Sequence, residues 1–454
     1  MKRSGLLLLV AASLSLTGAP AATRSHYGGT LRVVMRDAPT SLDPADSSQP
    51  DSLARRSLSR MIFDTLVVLD ARGQPQAALA ASWQADPGNQ RWQFGIRRGV
   101  SFHDGSALSS DAVAASLRNA NPNWKVIATG EAVVIECAVP VPNLPAILAL
   151  PRNGIARRSG GKLTGSGPFA ISQWDPGKRL TLAARDDYWG GRTFLDAIEI
   201  EMGKSFREHI IALDLGKADV VEVAPDQARR SALEGRRIEN SAPAEWMGMV
   251  FSGDGQSAQE AKLREALALC VDRDAMNNVL LQGGGEAAGT LLPNWMTGYA
   301  FLFPTAVEMQ RAQLARGEVP QAPVWSIGYD ATDPLARVIT ERIALNARDA
   351  GLRVQAVNSA TVDIRLVRIP LASPDAQVAL ADLAARLGLP QPKSDGDAPT
   401  SLYAAENALL QSRRVIPLLY LRSAAALSPN VRGWTESPTG EWQLQNVWLE
   451  TEKP

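Results

Sequence analysis

Side chains able to do covalent or metal chemistry are few in this chain and poorly spaced for it. Its only histidines are His26, His103 and His209, and its only cysteines are Cys137 and Cys270. None falls in a C-x-x-C, H-E-x-x-H or comparable ligand spacing. His103 stands beside Asp104 in a turn between a predicted strand and a predicted helix, where a structural hydrogen bond is the expected role. The nucleophile-elbow spacing G-x-S-x-G is absent, because Gly165-Ser166-Gly167 places each glycine directly beside the serine with no residue between. Asp186 and Asp187 are adjacent, so on a strand they face opposite ways and cannot act as a carboxylate pair. Arg97-Arg98 fails as an anion clamp for the same reason and reads as surface. Gly283-Gly284-Gly285 follows a predicted helix and not a strand, so it reads as a helix stop and turn, not a phosphate loop. No catalytic group, metal site or cofactor is expected, and the chemistry left to the chain is non-covalent binding.

Composition narrows the partners. Forty-seven basic side chains balance forty-seven acidic ones, which gives no built-in attraction for nucleic acid or an anionic membrane. Eleven Trp in 454 residues is generous, and buried cores and clefts are where so large a residue is used.

The elements that would position a site are read from periodicity. Lys2 and Arg3, an apolar run from Leu6 to Leu16, and Ala19-Pro20-Ala21 together form a secretory leader pattern. The run is too short to span a bilayer. Cleavage is expected after Ala21 or Ala22, and no Cys follows to accept a lipid. Leu31, Val33 and Met35 alternate as in a half-buried strand, as do Trp92, Phe94 and Ile96. Leu58, Met61 and Ile62 follow helical spacing, and Ser109 is a good N-cap for a helix through Leu117. Val133–139, Leu180–Ala184 and Ile198–Met202 read as strands, and Arg207–Leu215 as a helix stopped by Gly216. Leu263, Ala266, Leu267, Cys270 and Val271 share one helix face. A helix from Leu335 to Ala350, Gly351, and an alternating Leu352–Ala356 form an α/β unit. Leu402–Gln411 reads as helix, and Val415–Leu421 as a strand containing Pro417. In an exported chain Cys137 and Cys270 could pair, but their positions favour two buried thiols. Strands and helices alternate without a long uniform pattern, which predicts an α/β (mixed α+β) fold.

Several segments resemble bacterial extracellular solute-binding protein family 5, the large proteins that deliver peptides or nickel to ABC importers. Gly28-Gly29-Thr30-Leu31-Arg32 resembles the family's opening strand, and Ser41-Leu42-Asp43-Pro44 its "lDP" loop. Phe63-Asp64-Thr65-Leu66 and Leu79-Ala80-Ala81-Ser82-Trp83 are similar to the next two segments. WQFGIRRGVSFHDG (Trp92 to Gly105), Gly165-Ser166-Gly167-Pro168-Phe169, Asp187-Tyr188-Trp189 and LREALALCVDRD (Leu263 to Asp274) follow in family order. Pro417-Leu418-Leu419-Tyr420 and Val431-Arg432-Gly433-Trp434 resemble the closing motifs. The chain departs from the family between Val357 and Leu402, which is short and carries no Trp, Tyr or Phe, and at Ser252, where the family has Asn.

The resemblance implies a two-lobed binding protein with a hinge. Lobe I would be discontinuous (23–46, 161–241 and 426–454), with an inserted domain at 47–160 and lobe II at 242–425, after a leader at 1–22. It implies a small solute, foremost an oligopeptide, captured between the lobes and passed to ABC-importer permease subunits outside the cytoplasmic membrane. The protein is expected to work as a monomer. Nickel has no protein-side ligands here, although a metal inside an organic chelate needs few. The ligand residues implied are Thr40 and Ser41, which offer hydroxyls, with Trp246 and Trp434 as flat apolar walls, or else as core packing. The rival readings are an exported hydrolase and a ligand-presenting sensor or chaperone without transport.

Overall fold

A computed structural model describes residues 26–253, 257–359, 361–393 and 398–450. The leader expected at 1–22 lies outside the described residues. The first strand, β1 (Thr30–Val34), points Leu31, Val33 and Val34 into the interior. Helix α1 (Leu53–Ile62) begins at Ser52, whose hydroxyl accepts the Arg55 N–H at 3.2 Å, and buries Leu58, Met61 and Ile62. A small antiparallel sheet follows, built from β2 (Ala80–Ala85), β3 (Arg91–Ile96), β4 (Lys125–Thr129) and β5 (Ala132–Glu136) in the order β2-β3-β5-β4. Helix α2 (Ser110–Ala120), capped by Ser109, packs on it, and Phe94, Phe102, Leu117 and Ile135 fill the core between them. The strand expected over 133–139 ends at Glu136, which leaves Cys137 part-exposed, while Cys270 is buried and both thiols are free.

The main sheet is continuous and mixed. It is assembled from β6 (Phe169–Asp175), β7 (Arg179–Ala184), β8 (Ala197–Glu201), β9 (Val220–Val223) after helix α3 (Phe206–Asp214), and the long β10 (Arg237–Phe251). Helix α4 (Ala258–Cys270), β11 (Gly285–Ala287), β12 (Val324–Gly328), α5 (Pro334–Asp349), β13 (Arg353–Val357), β14 (Ile364–Pro370), α6 (Ala376–Arg386), α7 (Pro399–Leu410) and β15 (Val415–Leu427) complete it. Its order is β6-β7-β8-β1-β9-β15-β10-β14-β12-β13, with β11 added on β15.

Two strands join the halves of this sheet. β10 and β15 pair antiparallel from Arg237↔Leu427 to Val250↔Val415, and the ladder is broken between Asn240 and Glu245 around Pro243. On one side of the break lies the sheet half built on β1, and on the other the half built on β14. In the second half both faces are covered. Met247, Met249 and Phe251 face the core under α4 and α5. Trp246, one residue out of phase, faces the core under α6 and α7. Period-2 alternation thus buries both sets of side chains, as expected for a sheet with helices on both sides.

The inserted unit is bolted to the first half through motifs far apart in sequence. Just past α1, the half-buried Asp64 carboxylate accepts from the Ser166 hydroxyl, the Tyr188 hydroxyl and the Trp189 indole, each at 2.9 Å. Burial pushes the Asp64 pKa up, against the pull of these three donors. His103 joins the same knot. Its backbone N–H donates to the Gly165 carbonyl at 2.9 Å, its Nδ1 accepts the Gly165 N–H at 3.3 Å, and its Nε2 lies 3.2 Å from the Gly167 carbonyl. The two glycines are required for close approach and not for a left-handed backbone. A Cβ on Gly165 would lie 1.9 Å from the Ile62 carbonyl oxygen, and one on Gly167 would lie 2.6 Å from backbone atoms of Met61 and Ile62. Gly165→Ala is therefore expected to cost about 1–3 kcal/mol or more in chemical denaturation, since nothing at that contact can give way. Gly317→Ala, where the added methyl meets nothing within 4 Å, is expected to be neutral or stabilising.

Candidate functional site

Helix α1 is the wall on which the site is built. One face locks into the first half, and Arg56 leaves it toward the second half. Arg56 is 3% exposed, and desolvation is the largest influence on its guanidinium. Its Nε donates to Asp51 at 2.8 Å, and its two terminal nitrogens donate to the Pro370 and Leu371 carbonyls at the end of β14. Glu441 lies 3.9 Å from it. Burial alone would raise the Glu441 pKa, but Arg60 and Arg56, with hydroxyls from Ser437 and Thr439, outweigh it and hold the group below its ordinary value.

Three further contacts tie the same walls together. Arg36 donates to the Thr332 carbonyl, Asp51 pairs with Arg386, and Arg152 of the inserted unit pairs with Asp382 on α6 at 2.9 Å. Ala146 and Leu150 meet Ala372 and Val378 beside them. The halves are therefore closed onto one another.

Among the described residues, three chambers lie along the closed walls. The largest, about 830 Å3, lies between Phe63–Ala71, the stretch Glu239–Ala242 at the break in the β10–β15 ladder, the loop Ala372–Pro374 and the Trp434–Gln445 segment. A second, about 370 Å3, has Leu42, Pro44, Leu150 and Ala372 as apolar walls and Arg55, Arg56, Arg152 and Arg386 among its polar ones. A third, about 320 Å3, is lined by Arg36, Glu222, Glu245, Asp333 and Arg368, with Phe206 and Trp442. In the third, Arg368 bridges Asp333 at 2.7 Å and Glu245. All three touch α1 or the residues that cap it.

The sequence-predicted site residues separate in this geometry. Trp434 lines the largest chamber and meets Trp442 edge to face, with ring centroids 5.2 Å apart. Thr40 is exposed, its N–H and hydroxyl both turned to Gln49 at 3.1 Å, and Ser41 closes a local turn by accepting the Asp43 N–H at 3.3 Å. Neither lines a chamber, whereas Leu42 and Pro44 of the same loop do. Trp246 corrects the expectation most clearly. It is fully buried, its indole N–H donates to the Thr290 carbonyl at 3.1 Å, and it packs under α6 and α7 because that face of the sheet is covered. Arg56, Arg60, Asp51, Glu436 and Glu441 were missed. The available signal was Glu436-Ser437-Pro438-Thr439-Gly440-Glu441, two acids folded into one polar turn, but its spacing does not reveal what it faces.

The other sequence candidates take structural roles. Ser166 is fully buried and committed to Asp64. Arg97 donates to the Ala78 carbonyl at 2.8 Å and lies over the Trp189 ring, while Arg98 pairs with Glu131. Asp187 pairs with Arg185 at 2.9 Å and Asp186 with Arg192 at 3.0 Å. His209 is buried with Nδ1 on the Glu222 carbonyl at 2.9 Å. Gly283-Gly284-Gly285 turns the chain from a helical segment into β11.

Two predictions follow from this arrangement. Trp246→Ala is expected to cost roughly 3–5 kcal/mol of stability as a core truncation, read by chemical denaturation; a folded variant of unchanged stability would return Trp246 to the cleft. The second concerns pH. Burial, with Asp37 nearby, pushes Glu222 up to about 7, and burial pushes Glu406 up to about 7, both from 4.5. The folded protein then holds protons that the unfolded chain releases. The stability they contribute is full below about pH 4.5 and is lost as pH rises through 7. The ligand-free protein is expected to melt at a lower temperature at pH 8 than at pH 5.5. Glu222→Gln should flatten that slope by on the order of 1–3 kcal/mol, and an unchanged slope would refute the assignment.

Comparison with known proteins agrees with the geometry. Residues 74–365 match the middle region of the bacterial extracellular solute-binding proteins, family 5. The chain is 23% identical over 302 residues to the oligopeptide-binding protein AppA of Bacillus subtilis (strain 168), a match covering 59% of this chain and 54% of AppA. The chain thus spans about half the length of that relative. Among solved structures it resembles a dipeptide-binding protein from Pseudoalteromonas sp. SM9913 in complex with Met-Leu. That match has a TM-score of 0.79 at 16% identity and covers 93% of this chain and 100% of that one. It also resembles the periplasmic binding protein DppA from Helicobacter pylori in complex with the peptide STSA. There the TM-score is 0.78 at 18% identity, covering 94% of this chain and 99% of the other. The fold is the two-lobed architecture of these proteins.

Proposed function

The chain belongs to the bacterial extracellular solute-binding proteins, family 5, and we propose that it captures a short peptide between its lobes outside the cytoplasmic membrane and presents it to the permease of an ABC importer. One observation carries the reading. The three chambers lie between the two halves of the sheet, around a helix that reaches across to both, and contacts that span the halves close them. That is the form a hinge-closing binding protein takes around a solute. The similarity to an oligopeptide-binding protein and to two peptide-bound structures supports peptide as the solute. In this reading 23–46, 161–241 and 426–454 form lobe I, 47–160 the inserted domain and 242–425 lobe II. The hinge is the broken β10–β15 ladder near Pro243. Residues 1–22 act as the export leader.

Family 5 is a family of substrate-binding proteins, and the reading adds no catalysis to that role. A screen of di- to tetrapeptides by thermal shift is expected to find binders, because a ligand held only by the folded state stabilises it by about 2.7 kcal/mol at a hundredfold excess over Kd. Small-angle scattering with a peptide so found is expected to give a smaller radius of gyration, mass spectrometry to return the peptide uncut, and the exported protein to begin at Ala22 or Thr23. An unchanged radius at saturation would sink the hinge reading, and cleavage of the peptide would put a hydrolase in its place.

A further inference from the structure

We propose that the second half of the sheet carries a binding site of its own, outside the cleft, for a small organic monocarboxylate with a compact apolar body, held by the Arg273 guanidinium and the side-chain amides of Asn407 and Gln411. The site is a chamber of about 310 Å3 between the end of α4, helix α7, the start of β15 and the loop after Phe303. Every residue lining it lies between Ala268 and Pro417, so it needs no closure of the halves and is independent of the peptide reading.

Arg273 is 5% exposed, and among the described residues no carboxylate pairs with it. The one acid that weighs on it, Asp274, is exposed. Desolvation wins and pulls the guanidinium down to about 10, which leaves it charged at pH 7. Part of the side chain is structural. Its Nε donates to the Pro417 carbonyl at 2.9 Å, and its Nη1 to the Ala268 and Val271 carbonyls at 3.1 and 3.3 Å. The last two carbonyls lie at the C-terminal end of α4, which supplies partial negative charge but no full counter-ion. Nη2, whose N–H groups can only donate, has no acceptor among the described residues. The other charges on the chamber wall cancel. Arg413 reaches Glu265 at 3.2 Å, and Glu308 holds Arg311 at 2.6 Å. One buried positive charge is left over.

Buried charges are ordinarily paired, and the wall around this one is made to take the missing partner. Asn407 and Gln411 stand four residues apart at the end of α7, the spacing that puts two side chains on one helix face. Both line the chamber, and neither side-chain amide has a partner among the described residues. A carboxylate can accept from a guanidinium and from amides at once, and the charged donor makes the stronger bond. Leu269, Phe303 and Leu410 give the chamber its apolar surface, and the Phe303 ring is held against Tyr403 with centroids 5.2 Å apart. The volume is near the lower limit of ligand pockets, about 300 Å3, which suits one ring or a short chain. Glu308 is the only acid on the wall and is already paired, so an ammonium group finds no counter-ion there, and a plain acid fits better than an amino acid.

Titration calorimetry of the full chain at pH 7 tests the site with three probes: 3-phenylpropionate, its amide, which keeps the shape and loses the charge, and acetate, which keeps the charge and loses the body. 3-Phenylpropionate is expected to bind at least tenfold tighter than either. Ala306 is exposed on the chamber wall, and Ala306→Phe, which fills the space, is expected to weaken the acid at least tenfold. Asn407→Leu, which keeps the volume and removes a donor, is expected to weaken it at least threefold. Arg273→Gln is expected to abolish the preference for acid over amide; should that variant fail to fold, the Ala306 and Asn407 variants decide. A peptide that binds the cleft is expected to bind the Ala306→Phe protein unchanged, and a chain that takes 3-phenylpropionate but no peptide would sink the peptide reading and leave this site standing. Equal affinity for acid and amide overturns the proposal. So does binding of the acid that Ala306→Phe and Asn407→Leu leave untouched, which would place it elsewhere, and so does no binding of the acid at millimolar concentration.

Discussion

The architecture hangs on the packing of the Gly165-Ser166-Gly167 turn against the last turn of α1. Backbone meets backbone there at distances that exclude a β-carbon, and the contact brings Ser166 under Asp64. Tyr188 and Trp189 complete the coordination of that carboxylate from more than a hundred residues downstream. Each donor offsets part of the cost of burying Asp64, and losing one would leave a desolvated charge under-paired. The knot fixes the end of α1, and α1 in turn fixes Arg56, Ser59 and Arg60. Every chamber between the halves inherits its position from it.

Closure is also electrostatic, in a chain whose net charge is zero. Arg56, Asp51, Glu441, Arg386 and Asp382 form a chain of charges from the core of one half to a helix of the other. Surface pairs of this kind contribute little, but Arg56 and Glu441 are out of water. A buried pair is a poor source of stability and a sharp source of geometry, because separating its members strands each in low dielectric. The carbonyls of Pro370 and Leu371 satisfy Arg56 only when the second half is in place. Opening therefore requires water to replace them.

Much of the fold was legible because it is local. The alternation of Trp92, Phe94 and Ile96, the Ser109 cap, the Leu263–Cys270 stripe and the Gly351 stop all describe residues whose partners are a few positions away. The site was harder to read. Trp246 looks like a cleft residue only if one face of its strand is open, and whether α6 and α7 cover that face cannot be read from the strand itself. Gly165 and Gly167 stand outside the left-handed region, and what demands glycine there is the close approach of Ile62, some hundred positions earlier in the sequence. Glu436 and Glu441 sit five residues apart in one turn, yet one is matched by two arginines and the other by none. That difference arises from α1, which lies some 380 positions earlier in the sequence.

The β10–β15 ribbon also sets an order of assembly. β15 is hydrogen-bonded to β9 of the first half and to β10 along both halves, and it carries β11 as well. It is also the last long strand to be synthesised. Until it arrives, β9 and β10 each present a raw edge and neither half of the sheet is complete. Closing loops of that length is slow relative to local pairing, so the chain must wait for its own C-terminal segment before it can fold cooperatively. The two halves of the sheet thus share one closing strand, and the open edges of both are covered in the same step.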